Sequence, residues 1–376
     1  MIIRHRLVES FLELIAIDGP PRRERAVADR VLEELRRMGL DAWEDEAATA
    51  VGGNSGNVLA KIPATVAHAP VLLLNAHLDT VQPTEGIKPV ISGDLIKSDG
   101  RTILGADDRA GIALILEAVR SLLEEATPHG EIILAFTICE EVGLLGAQYL
   151  AEKGLKAAAG FVLDGGDCEG RRIVIAGPYH VRFRATVHGK ATHAGTHPED
   201  GVSAIVIASR AIANMKLGRV DEETTANIGR ISGGVADNIV PELVEVYGEA
   251  RSLDEAKLLL QVAHMAEQIR HAATNLGGSV EVHEVMNYRG FRLKEDDPPL
   301  RLALKAMRTL GIEPVLESIT GGTDANMFNI GGIPAVALPT GMGGAHSREE
   351  YCHVPVMERC ALLVQTILEE AAKSTA

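Results

Sequence analysis

The chain has 376 residues, 46% of them apolar, which suits a folded protein of two or three domains with packed cores. Lys and Arg number 37 against 52 Asp and Glu, and the resulting charge of −15 repels phosphate backbones and anionic membranes, so neither nucleic acid nor membrane is expected as a partner. Aromatic residues, at 3%, are too few to build base-stacking platforms.

Two helices open the chain, over 5–17 and 23–38, with apolar residues at i, i+3 and i+4 (Leu7, Phe11, Leu14; Val27, Val31, Leu35) and Gly39 as a C-cap. Charges interrupt the first of them, MIIRHRLVESFLEL, where a signal peptide needs an unbroken apolar stretch, so a cytoplasmic location is expected. Short apolar runs then alternate with helical patterns. They are a strand at 71–75, a helix at 108–123, a strand at 132–138, a helix near 144–150 and a strand at 161–163. Continuous apolar strands between helices predict an α/β fold, a mixed sheet covered by helices on both faces. The rhythm changes near Gly177. Strands at 180–187, 225–231, 243–252 and 279–285 and helices at 203–215 and 254–275 give the order βαββαβ, an inserted ferredoxin-like α+β domain. The α/β pattern resumes with a helix at 300–310, strands at 314–317 and 335–338 and a terminal helix at 354–372. The expected domains are 1–176 with 292–376, discontinuous, and 177–291, inserted.

Ligands of open α/β sheets bind beyond the carboxyl ends of the strands, so the residues there carry the functional signal. One strand runs into His77-Leu78-Asp79, a second into Glu140-Glu141, a third into Asp164 and a fourth into a Gly-rich loop ending at His346, while Asp107 starts a helix. A single Asp or Glu in such a place is ordinarily a helix cap or a solvated loop residue. It is the coincidence of five at one rim that argues for a site. Two His and three carboxylates without a thiolate suit zinc, cobalt or manganese. Two ions fit better than one, because a shared carboxylate lets each take one His, one further carboxylate and a bridging water. Asp79, two residues from His77, is expected to orient the imidazole. Glu140 is left as general base, on the reasoning that adjacent side chains at a strand end diverge and do not ligate the same ion.

These strings resemble the M20 metallopeptidase family, and within it the peptidase T-like branch: His77-Leu78-Asp79-Thr80-Val81, Leu104-Gly105-Ala106-Asp107-Asp108, Cys139-Glu140-Glu141-Val142-Gly143, Asp164-Gly165, Gly321-Gly322-Thr323-Asp324 and His346-Ser347, in order along nearly the whole chain. The resemblance implies a zinc-exopeptidase-like fold in which Asp107 bridges two Zn²⁺ ions (Co²⁺ or Mn²⁺ as substitutes), His77 and Asp164 completing one and Glu141 and His346 the other. It also implies a cis peptide between Asp107 and Asp108. In the inserted domain it implies His193 as the group that polarises the scissile carbonyl, and Asn238 and Arg251 as contacts to the substrate's polar groups and carboxylate. Thr320 departs from the pattern, since peptidase T carries an arginine there, which leaves the tripeptide preference open. His353 competes with His346 as a ligand, but its spacing from the Gly-rich loop favours a helix-cap position.

Other signals carry less. Gly189-Lys190 lacks the Ser or Thr of a phosphate loop, no H-E-x-x-H occurs, and the four cysteines form no C-x-x-C pair, with Cys139 ending an apolar strand as a core residue. The sequence therefore points to a di-zinc aminopeptidase or tripeptidase-like exopeptidase acting on short peptides, with an N-acyl-amino-acid amidohydrolase or carboxypeptidase as alternatives of the same chemistry. A non-catalytic binding protein would be expected to have damaged ligands. The inserted domain is expected to act as a lid and to form a homodimer.

Overall fold

A computed structural model describes residues 1–373, and the chain folds into two compact units. The first comprises Met1–Ala176, Arg292–Ser318 and the chain from Gly322 onward; the second comprises Gly177–Phe291 with Ile319–Gly321. Residues 319–321, which the sequence places in the first domain, group with the second. Within that unit the Arg251 guanidinium lies 3.5 Å from the Thr320 carbonyl, a contact between segments far apart in sequence.

In the first unit, strands of a large mixed sheet lie in the order Ala42–Glu44, Val58–Ile62, Ile132–Thr137, Leu72–His77, Ala159–Gly165, Ala335–Pro339 and Arg172–Gly177, with Val315–Ser318 also paired to the last. Leu72–His77 and Ile132–Thr137 are buried at every position, which explains why they read as mainly apolar runs without alternation: both faces are covered. Leu72–His77 runs parallel to both of its neighbours, and Ala335–Pro339 runs parallel to Ala159–Gly165. Four strands therefore end at one rim. Helix Ala106–Glu124 packs on this sheet beneath Arg4–Ile15 and Val354–Ala372, which is why it is buried nearly all round rather than along one stripe. A small four-stranded sheet, not read in the sequence, joins Met342–Gly343, Tyr351–His353, Leu95–Ser98 and Pro89–Ser92.

In the second unit the strands lie in the order Gly218–Arg219, Thr224–Gly233, Leu243–Ser252, Tyr179–His188, Ser279–Tyr288, every pair antiparallel. Val181, Phe183, Ala185 and Val187 alternate inward to a core shared with Ile207 and Ala211 of helix Ala204–Asn214 and Val262, Met265 and Ile269 of helix Glu255–Asn275. Arg182 and Arg184 point away from this core, so helices cover one face only. Asp254 caps the longer helix by accepting from the Lys257 N–H, and Ser203 caps the shorter one.

Candidate active site

The carboxyl rim of the large sheet delivers the residues that the strand ends mark. His77 is the last residue of its strand and Asp164 lies in Ala159–Gly165; Glu140 and Glu141 follow Ile132–Thr137, and His346 follows Ala335–Pro339. Asp107 sits at the start of helix Ala106–Glu124, where it and Asp108 depart from helical geometry, and the peptide between them is cis. Gly111, one turn into this helix, permits the close approach of helix to strand. A Cβ there would collide with the Leu163 carbonyl, next to Asp164, and with the Asp108 carboxylate.

These side chains converge. His77 Nε2 is 3.0 Å from Asp107 Oδ1 and 3.9 Å from Asp164 Oδ1, while His346 Nε2 is 3.1 Å from Asp107 Oδ2 and 3.0 Å from Glu141 Oε1. The ligand atoms of His77, Asp107 and Asp164 lie within 4.8 Å of one another, as do those of Asp107, Glu141 and His346. Asp107 belongs to both groups and turns one oxygen to each histidine. The donor set, two imidazoles and three carboxylates around a shared one, fits two cations of the zinc, cobalt or manganese kind. Charge supports the same reading. Burial drives the Asp164 and Glu140 carboxyls well above the usual range, and the charges of neighbouring carboxylates add to it. Burial acts the same way on Asp107, but hydrogen bonds from His346 and His77 outweigh it and hold this carboxyl low. Hydrogen bonds to Asp107 and Glu141 raise His346 to about 10, so protons stand where positive ions would sit.

Two expectations need correction. Glu140 and Glu141 do not diverge: an oxygen of each comes within 4.8 Å of a His77 nitrogen. The reason is a curled backbone, with Cys139 at φ +55° and the Glu140 and Glu141 N–H groups both donating to the Asp79 carboxylate, at 2.9 and 3.1 Å. Asp79 itself orients His77 mainly through its backbone, since the imidazole Nδ1 lies 2.9 Å from the Asp79 carbonyl and 3.5 Å from Oδ1. Its carboxylate chiefly holds the Glu140–Glu141 turn.

Several supporting residues were not singled out in the sequence. The Asp108 carboxylate accepts from the N–H groups of His77 and Gly111; buried Glu24 accepts from the Cys139 N–H; the Asn57 side-chain carbonyl accepts from the Ile138 N–H. Arg109, fully buried and lowered to about 10 by that burial, donates to the Leu78 carbonyl beside His77. Buried Asp324 accepts from the Thr137 hydroxyl under the rim. Asp324 had a visible cue in the Gly-Gly-Thr-Asp string, and Asp108 and Arg109 directly follow Asp107 in the string around Gly105; Glu24 and Asn57 had none. His353 stands at the N-cap of the terminal helix, the position expected of it, but makes no side-chain cap bond.

His193, Asn238 and Arg251 belong to the second unit. His193 Nδ1 accepts from the N–H groups of Gly195 and Thr196, at 3.1 and 3.2 Å, which places the proton of the neutral ring on Nε2 as a donor. The Ala194 N–H donates to the Asn238 carbonyl, so the His193 and Asn238 loops are tied together. The Arg251 fork pairs with Glu249, Nε and Nη2 each 3.1 Å from a carboxylate oxygen, so a substrate carboxylate must compete with that partner.

A family model described as peptidase family M20/M25/M40 matches residues 73–370. The uncharacterized protein YqjE of Bacillus subtilis (strain 168) is 40% identical over 373 residues, covering 99% of this chain and 100% of its own. Among solved structures, aminopeptidase PepT from Bacillus cereus ATCC 10987 is 40% identical with a TM-score of 0.88 over 99% of each chain. A tripeptidase from Staphylococcus aureus is 37% identical with a TM-score of 0.92 over 100% of each.

Proposed function

The chain belongs to peptidase family M20/M25/M40 and is a metal-dependent exopeptidase of the tripeptidase kind, and from that membership we propose a two-zinc mechanism with Glu140 as its base. The observation that carries the proposal is Asp107, whose two oxygens face His77 and His346 at 3.0 and 3.1 Å and so suit a carboxylate shared by two ions. His77 and Asp164 would hold one ion, and Glu141 and His346 the other. When bound, such a pair polarises the scissile carbonyl and makes water acidic enough to attack it at neutral pH.

The remaining work falls to the chain. Glu140, only 8% exposed, takes a proton from the attacking water and delivers it to the leaving nitrogen. Glu24 and Asp79 fix the turn that aims it, through the N–H groups of Cys139, Glu140 and Glu141. After domain closure or from a partner subunit, His193 would donate from Nε2 to the oxyanion, and Asn238 and Arg251 would bind the substrate's polar groups, Arg251 exchanging Glu249 for a carboxylate. Thr320 stands where peptidase T carries an arginine, so the preference among peptides is decided by assay. A panel of tripeptides, dipeptides and N-acyl amino acids tests this reading: the tripeptides are expected to be cleaved fastest from the amino end, and a preference for acyl amino acids would overturn it.

The protein is further proposed to be a cytoplasmic homodimer with the second unit as lid and dimer surface. The four cysteines are all unpaired, as thiols are in a reducing compartment. Leu259 and Leu260 expose 52% and 72% of their surface on helix Glu255–Asn275, and Ile205 and Val206 are exposed on helix Ala204–Asn214, which supports apolar pairing of two copies. Light scattering should give twice the chain mass; a monomer at micromolar concentration would remove the dimer.

A further inference from the structure

We infer that Glu350 is the positioning residue that sets the bridging carboxylate, Asp107, and locks it to the loop of the second histidine, His346. This role rests on the two-cation reading. Glu350 is fully buried, and among the described residues no Lys, Arg or His forms an ion pair with it. Its carboxylate is satisfied instead by the backbone of one distant segment. Oε2 accepts from the N–H groups of Leu104 and Gly105, at 2.9 and 2.7 Å, and Oε1 accepts from the N–H of Asp107 itself, at 3.0 Å.

The side chains of Asp108 and Arg109 hold the far end of that segment, and Glu350 holds its start. Gly105 adopts φ +73°, and Asp107 and Asp108 have non-helical backbone angles, so the first N–H groups of helix Ala106–Glu124 lack partners within it. A carboxylate at a helix N-terminus is favoured by the helix dipole as well as by the N–H donors. Glu350 is in turn rigidly placed. It directly precedes Tyr351–His353, which pairs with Leu95–Ser98 on one side and Met342–Gly343 on the other. The same loop carries His346 four residues earlier. One side chain thus spans the two stretches whose ligands, Asp107 and His346, meet at 3.1 Å.

Carboxylate chemistry is required here. Two oxygens accept three N–H bonds, whereas an amide has one acceptor oxygen and would turn an NH₂ donor against a backbone donor. Glu350→Gln therefore keeps the shape and breaks the clamp. The test compares wild type, Glu350→Gln and Glu350→Asp as full-length protein, measuring zinc affinity by competition with a chelator, the visible spectrum with cobalt bound, kcat and KM on one peptide, and thermal stability. Expected for Glu350→Gln are metal affinity or kcat lower by about 10- to 100-fold, the range for losing a partner that orients a ligand, with KM within about twofold and an altered cobalt spectrum. A purely structural role would lower only the melting temperature, and wild-type affinity, spectrum and kcat in Glu350→Gln would overturn the inference. Should that variant fail to fold, Glu350→Asp, which keeps the charge but loses reach, is expected to show the same changes to a smaller degree, and wild-type behaviour there would equally overturn it. A wild type that takes up no divalent cation would instead refute the two-cation reading, and this role with it.

Discussion

Asp79→Asn separates two roles that one side chain could play. The Asp79 carboxylate is fully buried and accepts from the N–H groups of Glu140 and Glu141, while the contact to His77 runs mainly through the backbone carbonyl, which the substitution leaves in place. Asparagine keeps one acceptor and sets an NH₂ against the other N–H. The loss of one charge-assisted bond together with a buried unsatisfied donor costs about 2–4 kcal/mol. At about 2–4 °C per kcal/mol for a domain of this size, the melting temperature should fall by roughly 5–15 °C. The turn that carries Glu140 should loosen, and a displacement near 1 Å lowers kcat by about 100-fold. Metal binding should suffer unevenly, because Glu141 rides on the loosened turn and His77 does not: the ion at Glu141 and His346 weakens, and the one at His77 and Asp164 persists. Calorimetry, steady-state kinetics and a chelator titration read these effects. Equal weakening of both ions would show that the turn is not what Asp79 chiefly holds, and wild-type kcat would refute the clamp outright.

Two further outcomes follow from the same geometry. Glu140→Gln keeps the size of the side chain and removes the base, so both ions should remain bound while kcat falls by about 100- to 10,000-fold; unimpaired hydrolysis would show the base to be elsewhere. In the second unit, the His180 imidazole 3.0 Å away and the Arg251 fork, working against partial burial, lower Glu249 from 4.5 to about 2. Its contribution to stability should be complete above about pH 5 and be lost as the pH falls through about 2, worth roughly 1 kcal/mol once solvent screening of this half-exposed group is discounted. Acid titration of the unfolding free energy should be flatter in Glu249→Gln between pH 5 and 2, and identical slopes would remove the pair.

The strands were legible where burial on both faces left a mainly apolar run, as in Leu72–His77 and Ile132–Thr137. Pro89–Ser92 was not, since it is exposed at every position and carries no hydrophobic period, and Met342–Gly343 is too short to show one. Helix Asp324–Ile330 was missed because it is only seven residues long and begins with a buried carboxylate rather than an apolar stripe. The ligand candidates could be read because topology puts strand ends at one rim. What the sequence could not convey was how those ligands are held. Glu350 acts on N–H groups about 245 positions earlier, and Glu140 and Glu141 share a direction only because Asp79 and Cys139 curl the turn between strand and helix. Backbone donors carry no residue signature, so the acceptors that serve them look like ordinary surface acids in a one-dimensional reading.

The shared role of Asp107 is tested most directly by elemental analysis of the purified chain after zinc loading and removal of free metal, alongside peptide hydrolysis. Two zinc ions per chain, with activity lost on chelation and restored by zinc, are expected. A single ion at saturation, or hydrolysis that survives complete removal of metal, would contradict a centre built on one carboxylate between two histidines.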